Sequence, residues 1–168
     1  MSVAYDVAGA HGAAGAFDVA GVLLAQIGAF LAVLLIASAI HKAFGWRRTR
    51  SVVEDFGGVP RRAASAAALA ACAIEALAGA LLILPDHRCA GAALASAILG
   101  FYLALIARAV ALNHGVVDCG CSFGGGSRNL GRFEIVRNAV LLTAALLALY
   151  GAIDQLMALH PMRQGGVL

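Results

Sequence analysis

The sequence predicts an all-α integral membrane protein, a four-helix bundle with a Cys-Gly-Cys loop between its third and fourth helices. Three observations lead to this fold class. The 168 residues are 62% hydrophobic and only 12% charged, whereas soluble domains are nearer half apolar and a quarter charged. The mean hydropathy is +0.89. Four long apolar segments alternate with polar stretches, and each approaches or exceeds the roughly 20 residues that cross a bilayer core.

The four segments are interpreted as the membrane helices of one domain that covers residues 1–168. Residues 1–18 contain no Lys or Arg, so the first segment lacks the positive region of a secretory signal and is expected to remain as a membrane helix. Residues 45–62 are predicted to form a polar loop, because Gly57, Gly58 and Pro60 indicate a turn. His160 and Pro161 are expected to end the last helix. The predicted helices span about 19–44, 63–84, 89–112 and 132–158.

The distribution of positive charge predicts the orientation of the bundle. Four helices place the loops at 45–62 and 113–131 on the same membrane face. Cytoplasmic loops are enriched in Lys and Arg, so this face is predicted to be cytoplasmic. No basic run alternates with aromatic residues, so nucleic-acid binding is not expected. The face with the two loops carries Arg47, Arg48, Arg50, Arg61, Arg62, Arg128 and Arg132, against Arg88 and Arg163 on the other.

Two cysteines, Cys119 and Cys121, lie one residue apart in a glycine-rich stretch that begins at Val117. Two thiols at this spacing suit either a reversible disulfide or a shared soft metal ion. A disulfide across one residue closes a very small ring, and departure from the preferred disulfide geometry makes the bond more reducible. A redox-active pair is therefore the favoured interpretation.

The surroundings of this pair leave other interpretations open. Arg128, Arg132 and the start of a helix just downstream favour the thiolate form, whereas Asp118 opposes it. A static disulfide would simply tighten the turn. Alternatively, His114 together with the two thiols would suit Cu(I) or zinc, although a polar residue at a helix exit is the more ordinary role for this histidine.

The other two cysteines are expected to be inert or remote. Cys72 falls in the middle of the second apolar segment, where cysteine commonly acts as a small apolar side chain. Cys89 begins the third segment, at the opposite membrane face from the Cys-Gly-Cys loop. Seventeen residues of helix would separate the two by about 25 Å, so they are not expected to bond to each other.

Polar residues inside the apolar segments form a candidate supporting pocket. Glu75 is near the middle of the second helix, and ionisable groups inside a membrane are functional candidates that need a partner. Lys42 and Arg108 are the candidate partners, and protonation of Glu75 is the alternative. A structural ion pair that fixes helix register is an equally good interpretation. In the fourth helix, Arg137 is expected to pair with Glu134 or to line the pocket, and Asn138 to bond across helices.

These features together resemble the methylamine utilisation protein MauE family, within the broader group of DoxX-like redox-associated membrane proteins. The resemblance covers about residues 19–155 and is carried by motifs in the first, second and fourth helices and in the loop. The loop has Ser122 where the family pattern would continue Cys-Gly-Cys-Phe-Gly. The matching motifs are His41-Lys42-Ala43-Phe44, Ile74-Glu75-Ala76-Leu77-Ala78-Gly79, Asp118-Cys119-Gly120-Cys121 and Val136-Arg137-Asn138.

The resemblance implies a bacterial inner-membrane, multi-pass protein that supports maturation of methylamine dehydrogenase. The small subunit of that enzyme is exported, dense in disulfides, and carries a quinone derived from tryptophan. A thioredoxin-like redox partner is implied as well. The resemblance makes Cys119 and Cys121 the exchange pair, with Glu75, Lys42 and Arg137 as pocket groups.

The resulting hypothesis is a thiol–disulfide redox factor in the lipid bilayer, an electron-relay or maturation factor rather than a metabolic enzyme. No cofactor is assigned, and a quinone is the one candidate. Two alternatives remain. One is a non-redox scaffold or carrier whose loop binds a metal ion or a partner. The other is a quinone-handling subunit of an oxidase, as in other DoxX-like proteins.

Overall fold

All regular secondary structure in the part of the chain that the structure describes is helical. The computed structural model describes residues 5–57, 59–111 and 132–164, with side chains described within 19–54, 59–111 and 133–157. The elements are α1 (Tyr5–Phe44), α2 (Trp46–Gly57), α3 (Arg61–Ile83), a 3-10 turn (Pro85–His87), α4 (Arg88–Ala111) and α5 (Arg132–Gln164).

Four of these helices are long and apolar enough to cross a membrane, which confirms the all-α membrane class. Their apolar spans are Val19–Phe44, Arg61–Ile83, Pro85–Ala111 and Phe133–Met157. Large apolar side chains cover their outer faces, and Val33, Val140 and Phe101 are each more than half exposed. In water such a surface would be unfavourable, whereas in a bilayer it contacts lipid tails. The Cys-Gly-Cys loop lies outside the described residues.

The prediction of a polar loop over residues 45–62 was wrong for most of its length, because α2 occupies Trp46–Gly57. The apolar residues Trp46, Val52, Val53 and Phe56 recur at helical spacing, which is typical of an amphipathic helix. An ion pair between two residues one helical turn apart, with 2.9 Å between Arg50 Nε and Glu54 Oε1, stabilises α2 further. Only Gly45 separates α2 from α1, and α3 begins at Arg61, directly after Pro60.

Two other predicted helix ends differ from the structure. The first helix begins at Tyr5 rather than at Val19, since the alanine-rich stretch before Val19 contains no proline to stop it. The last helix continues to Gln164, so the prediction that His160 and Pro161 end it was wrong. Proline removes one helical hydrogen bond and bends a helix, but it does not always terminate one.

The helices pack as sequential antiparallel neighbours, with α1 against α3, α3 against α4, α4 against α5, and α5 closing back on α1. Small side chains make this close packing possible, as is usual in membrane bundles. At Gly91, a Cβ atom would lie 2.6 Å from the backbone nitrogen of Leu82. The core residues are Leu31, Ala32, Leu35, Ala78, Leu82, Ala92, Ala95, Leu99, Ala145 and Ala148.

Candidate functional site

The candidate site begins with a buried seam along α3. Its members recur every three or four residues, which is the period of one helix face. Five of the seven are alanine, glycine or cysteine, so neighbouring helices approach closely, and Glu75 is the one charged member. The buried residues are Ala64, Ala68, Cys72, Glu75, Ala78, Gly79 and Leu82. Glu75 therefore faces the interior of the bundle rather than lipid, with only 1% of its surface exposed.

Lys42 of α1 forms an ion pair with this carboxylate. Its ammonium group donates to Glu75 Oε1, and its side chain is 11% exposed. Lys42 lies in the last turn of α1, and the antiparallel packing of α1 and α3 brings it level with Glu75. Of the two partners expected for Glu75, the structure selects Lys42, while Arg108 is exposed on α4. A buried charge with a partner is far less costly than an isolated one.

Tyr102 of α4 completes the cluster. Its hydroxyl group donates to Glu75 Oε1 and accepts from Lys42 Nζ at 3.0 Å. The ammonium nitrogen also lies 4.4 Å from the centre of the tyrosine ring, a distance at which the ring attracts a cation. Three helices thus contribute one side chain each to a single polar cluster, which we call the Lys42–Glu75–Tyr102 cluster.

One oxygen of the carboxylate remains available. Glu75 Oε2 is buried and has no hydrogen-bond partner among the residues that the structure describes. Both donors of the cluster point to the other oxygen, Oε1. The arrangement neutralises a charge inside the bundle, fixes the relative heights of α1, α3 and α4, and keeps one acceptor for a further donor.

The backbone of Lys42 is held by α2 as well as by its own helix. Helix α1 ends just before Gly45, whose N–H donates to the carbonyl of His41 at 2.9 Å. The hydroxyl group of Thr49 donates to the carbonyl of Lys42 at 3.0 Å. This contact satisfies a carbonyl group that the end of α1 would otherwise leave without a helical partner.

The two remaining members of the predicted pocket lie on α5. Asn138 is buried, and its amide nitrogen donates to the carbonyl of Glu134 at 2.9 Å, so this hydrogen bond lies within α5 rather than across to another helix. Arg137 is partly buried next to it. Glu134 is itself buried, at the beginning of α5. These residues form a second polar group, close to where α5 enters the bundle.

Both described cysteines are free thiols. Cys72 is buried three residues before Glu75, and Cys89 is half-buried in the first turn of α4. Among residues 5–57, 59–111 and 132–164, no three His, Cys, Asp or Glu side chains gather as metal ligands.

Comparison with known proteins identifies the family. The family model described as "Methylamine utilisation protein MauE" matches residues 20–151, well over half of the chain. The chain belongs to the MauE family. Searches of curated proteins and of solved structures found no match. The match includes every residue of the Lys42–Glu75–Tyr102 cluster, the second and third apolar spans in full, most of the first and fourth, and the Cys-Gly-Cys motif.

The cysteine pair of this MauE-family protein falls between α4 and α5 in the sequence. Cys119, Cys121 and His114 lie outside the described residues. Helix α4 ends at Ala111 and α5 begins at Arg132, so the segment that carries these residues joins two adjacent antiparallel helices. That end of the bundle also holds α2 and the end of α1.

The sequence did not single out Tyr102 or Thr49. A tyrosine hydroxyl inside an apolar helix is a usable signal, because a buried hydroxyl group needs a hydrogen-bond partner. Glu75 was the evident acceptor on the neighbouring helix. For Thr49 no comparable signal exists, because its role depends on the helix break at Gly45.

Proposed function

We propose that this MauE-family protein is an inner-membrane thiol–disulfide redox factor. Its client would be the small subunit of methylamine dehydrogenase or a similar exported protein. The observation that carries the proposal is the Cys119-Gly120-Cys121 motif, which lies in a MauE-family chain between two membrane helices. Closely spaced thiols in a glycine-rich segment suit reversible exchange better than packing.

The helices on either side of the motif support this proposal. Because α4 and α5 are antiparallel neighbours, the described ends that flank the motif, Ala111 and Arg132, would lie at one face of the membrane. An exchange pair at such a position could meet a water-soluble thioredoxin-like partner while it stays anchored in the bilayer. The apolar bundle would then serve as a fixed support for the two thiols.

The proposed exchange conserves two electrons. If the loop faces the exported client, a thiolate of the client attacks the disulfide between Cys119 and Cys121, which forms a mixed disulfide and releases one cysteine thiolate. A second client thiolate attacks the mixed disulfide, so the client becomes oxidised and the cysteine pair holds two electrons. A disulfide of the thioredoxin-like partner, or a quinone that becomes a quinol, then accepts these electrons. With a reducing partner, the same steps run in reverse. On the cytoplasmic face that the arginine distribution predicts, a relay to the opposite face would be needed, and Cys89 is the cysteine candidate for it.

The polar groups inside the bundle have a supporting role in this proposal. The Lys42–Glu75–Tyr102 cluster sets the heights of α1, α3 and α4, while Arg137 and Asn138 lie near the start of α5. Both groups would hold the ends of α4 and α5 in the arrangement that presents the thiols. None of these side chains is proposed to exchange electrons.

Cysteine-to-serine variants test the proposal. Cys119→Ser and Cys121→Ser should each either accumulate a mixed disulfide with a client or partner, or lose exchange altogether, as seen on non-reducing gels. Cys72→Ser is the matched control, because this thiol is buried and free, and it should behave like the wild type. Normal dehydrogenase maturation in the Cys119→Ser/Cys121→Ser double variant would remove the proposal.

Alkylation of the same pair separates redox chemistry from a metal-binding loop. If Cys119 and Cys121 are a redox pair, mild reductant should increase their reaction with a thiol reagent, and a chelator should leave it unchanged. If the loop instead holds a metal ion, the chelator should release the ion and expose the thiols without any reductant.

A further inference from the structure

A second feature of the bundle lies away from the polar cluster, near the opposite ends of α1, α3 and α5. It is a cavity of about 280 Å³ between these three helices and the first residue of α4. Pockets that bind small molecules begin at roughly this size, ~300 Å³. Its walls are largely apolar, and they include Leu24 and Val33 of α1 together with Leu82 and Ile83 of α3.

The cavity exists because small residues face each other across it. Ala25, Gly28 and Ala29 of α1 line one side, and Ala148, Gly151 and Ala152 of α5 line another. At Gly151 the two helices touch, because a Cβ atom there would lie 2.6 Å from Leu24 Cδ1. At Gly28, by contrast, a Cβ atom would meet nothing within 4 Å. Gly28 therefore opens onto unfilled space.

One cation lies at the edge of this space. Arg88 is the only charged residue among those that line the cavity, and it is half-buried. It makes no hydrogen bond or ion pair with any residue in the described part of the chain. Arg88 begins α4, at the end of an apolar span, so its guanidinium group is at the depth where a bilayer has its headgroups. Gln155 adds a second polar side chain to the same edge.

We propose that this cavity binds one anionic phospholipid, with part of an acyl chain between α1 and α5 and the phosphate against Arg88. An apolar slot with one unpaired cation at its mouth is complementary to an amphiphile with a negative head. A guanidinium group forms paired, charge-assisted hydrogen bonds with phosphate. The apolar part of the ligand packs against the small and apolar side chains that line the cavity, some of which, such as Val33, also face lipid. The site requires no thiol chemistry, so it is independent of the proposed redox function.

Lipid retention by the purified full-length protein tests this site. The protein is equilibrated with equal amounts of phosphatidylglycerol and phosphatidylcholine in detergent, and bound lipid is counted by native mass spectrometry. The wild type should retain one phosphatidylglycerol in preference to phosphatidylcholine. Arg88→Gln should lower this preference by roughly tenfold or more, which is the size expected for the loss of a charged hydrogen bond.

Two glycine variants separate the cavity from the general surface. Gly28→Leu should fill the slot and abolish retention of both lipids. Gly21→Leu is the matched control, because a Cβ atom there also meets nothing within 4 Å, while Gly21 does not line the cavity. It should retain phosphatidylglycerol as the wild type does. Equal retention by the Gly28→Leu and Gly21→Leu variants would overturn the proposal.

Inorganic phosphate, added in a separate arm, distinguishes a lipid headgroup from a free anion. If the site binds lipid, millimolar phosphate should not displace phosphatidylglycerol from the wild type, because the acyl chain contributes most of the affinity. If Arg88 binds a free anion only, phosphate should bind the wild-type and Gly28→Leu proteins equally, which would refute the lipid assignment. Retention of an uncharged isoprenoid amphiphile by wild type and Arg88→Gln alike would refute it too.

Discussion

Replacement of Lys42 by methionine should destabilise the bundle more than any other single change in the polar cluster. Methionine keeps most of the apolar stem but removes the ammonium group from Glu75, which is 1% exposed. Loss of one member of a buried ion pair costs about 3–5 kcal/mol. We therefore expect a loss of about 3–5 kcal/mol.

The opposite replacement, Glu75→Gln, should cost less. Lys42 is 11% exposed and lies in the last turn of α1, so its long side chain can move its charge towards the headgroups. Glutamine also keeps an acceptor for the hydroxyl group of Tyr102. The expected loss is about 1–2 kcal/mol, the range for a weakened hydrogen bond to a charged group. The Lys42→Met/Glu75→Gln double variant should be more stable than Lys42→Met alone, because no charge remains buried.

Titration with sodium dodecyl sulfate in mixed micelles, followed by circular dichroism, measures these free energies of unfolding. The four proteins (wild type, two single variants and the double variant) form a double-mutant cycle, and the coupling energy should exceed about 1 kcal/mol. If Lys42→Met costs less than Glu75→Gln, or if the two losses simply add, then the ion pair does not hold the helices as described.

Three further predictions concern other parts of the chain. Gly91→Ala should destabilise more than Gly79→Ala, measured by the same titration. The new methyl group would meet Leu82 backbone at 2.6 Å in the first case but chiefly the movable side chain of Ile36 in the second, and overpacking costs about 1–3 kcal/mol. Glu54→Gln should cost less than about 1 kcal/mol in that titration, because Arg61 is exposed and the Arg50–Glu54 pair is only partly buried; a larger loss would contradict this. In a variant whose only cysteine is Cys121, an impermeant thiol reagent should label inverted membrane vesicles but not intact cells, as the arginine distribution predicts; the reverse result would place the loop outside.

The sequence predicted the four long helices well because each is a continuous apolar segment, and the bilayer leaves a spanning chain few alternatives to a helix. The sequence-based prediction failed at α2 because it rested on Gly57, Gly58 and Pro60, which indicate a turn. The helical spacing of Trp46, Val53 and Phe56 is the pattern that indicates the helix. The structure has Gly57 as the last residue of α2, and Pro60 directly precedes α3. A short amphipathic helix at an interface has neither the length nor the hydropathy of a membrane span.

The candidate site was partly predictable for a related reason. A carboxylate in the middle of an apolar helix requires a partner, so the sequence alone identified Glu75 as a candidate site residue. Lys42 was one of the two cations predicted to pair with it. The choice between Lys42 and Arg108 depends on the relative heights of α1, α3 and α4, which hydropathy does not specify. The contribution of Tyr102 depends on the same heights.

The hydrogen bond from Thr49 to the carbonyl of Lys42 connects α2 directly to the end of α1 that carries the buried ion pair. This short helix is joined at Gly45 to the residue that neutralises the deepest charge in the bundle. To swing α2 away from the bundle, a force would have to break the threonine contact and strain the ammonium–carboxylate contact behind it. The packing of α2 and the position of the buried ion pair are therefore coupled through the carbonyl group of Lys42.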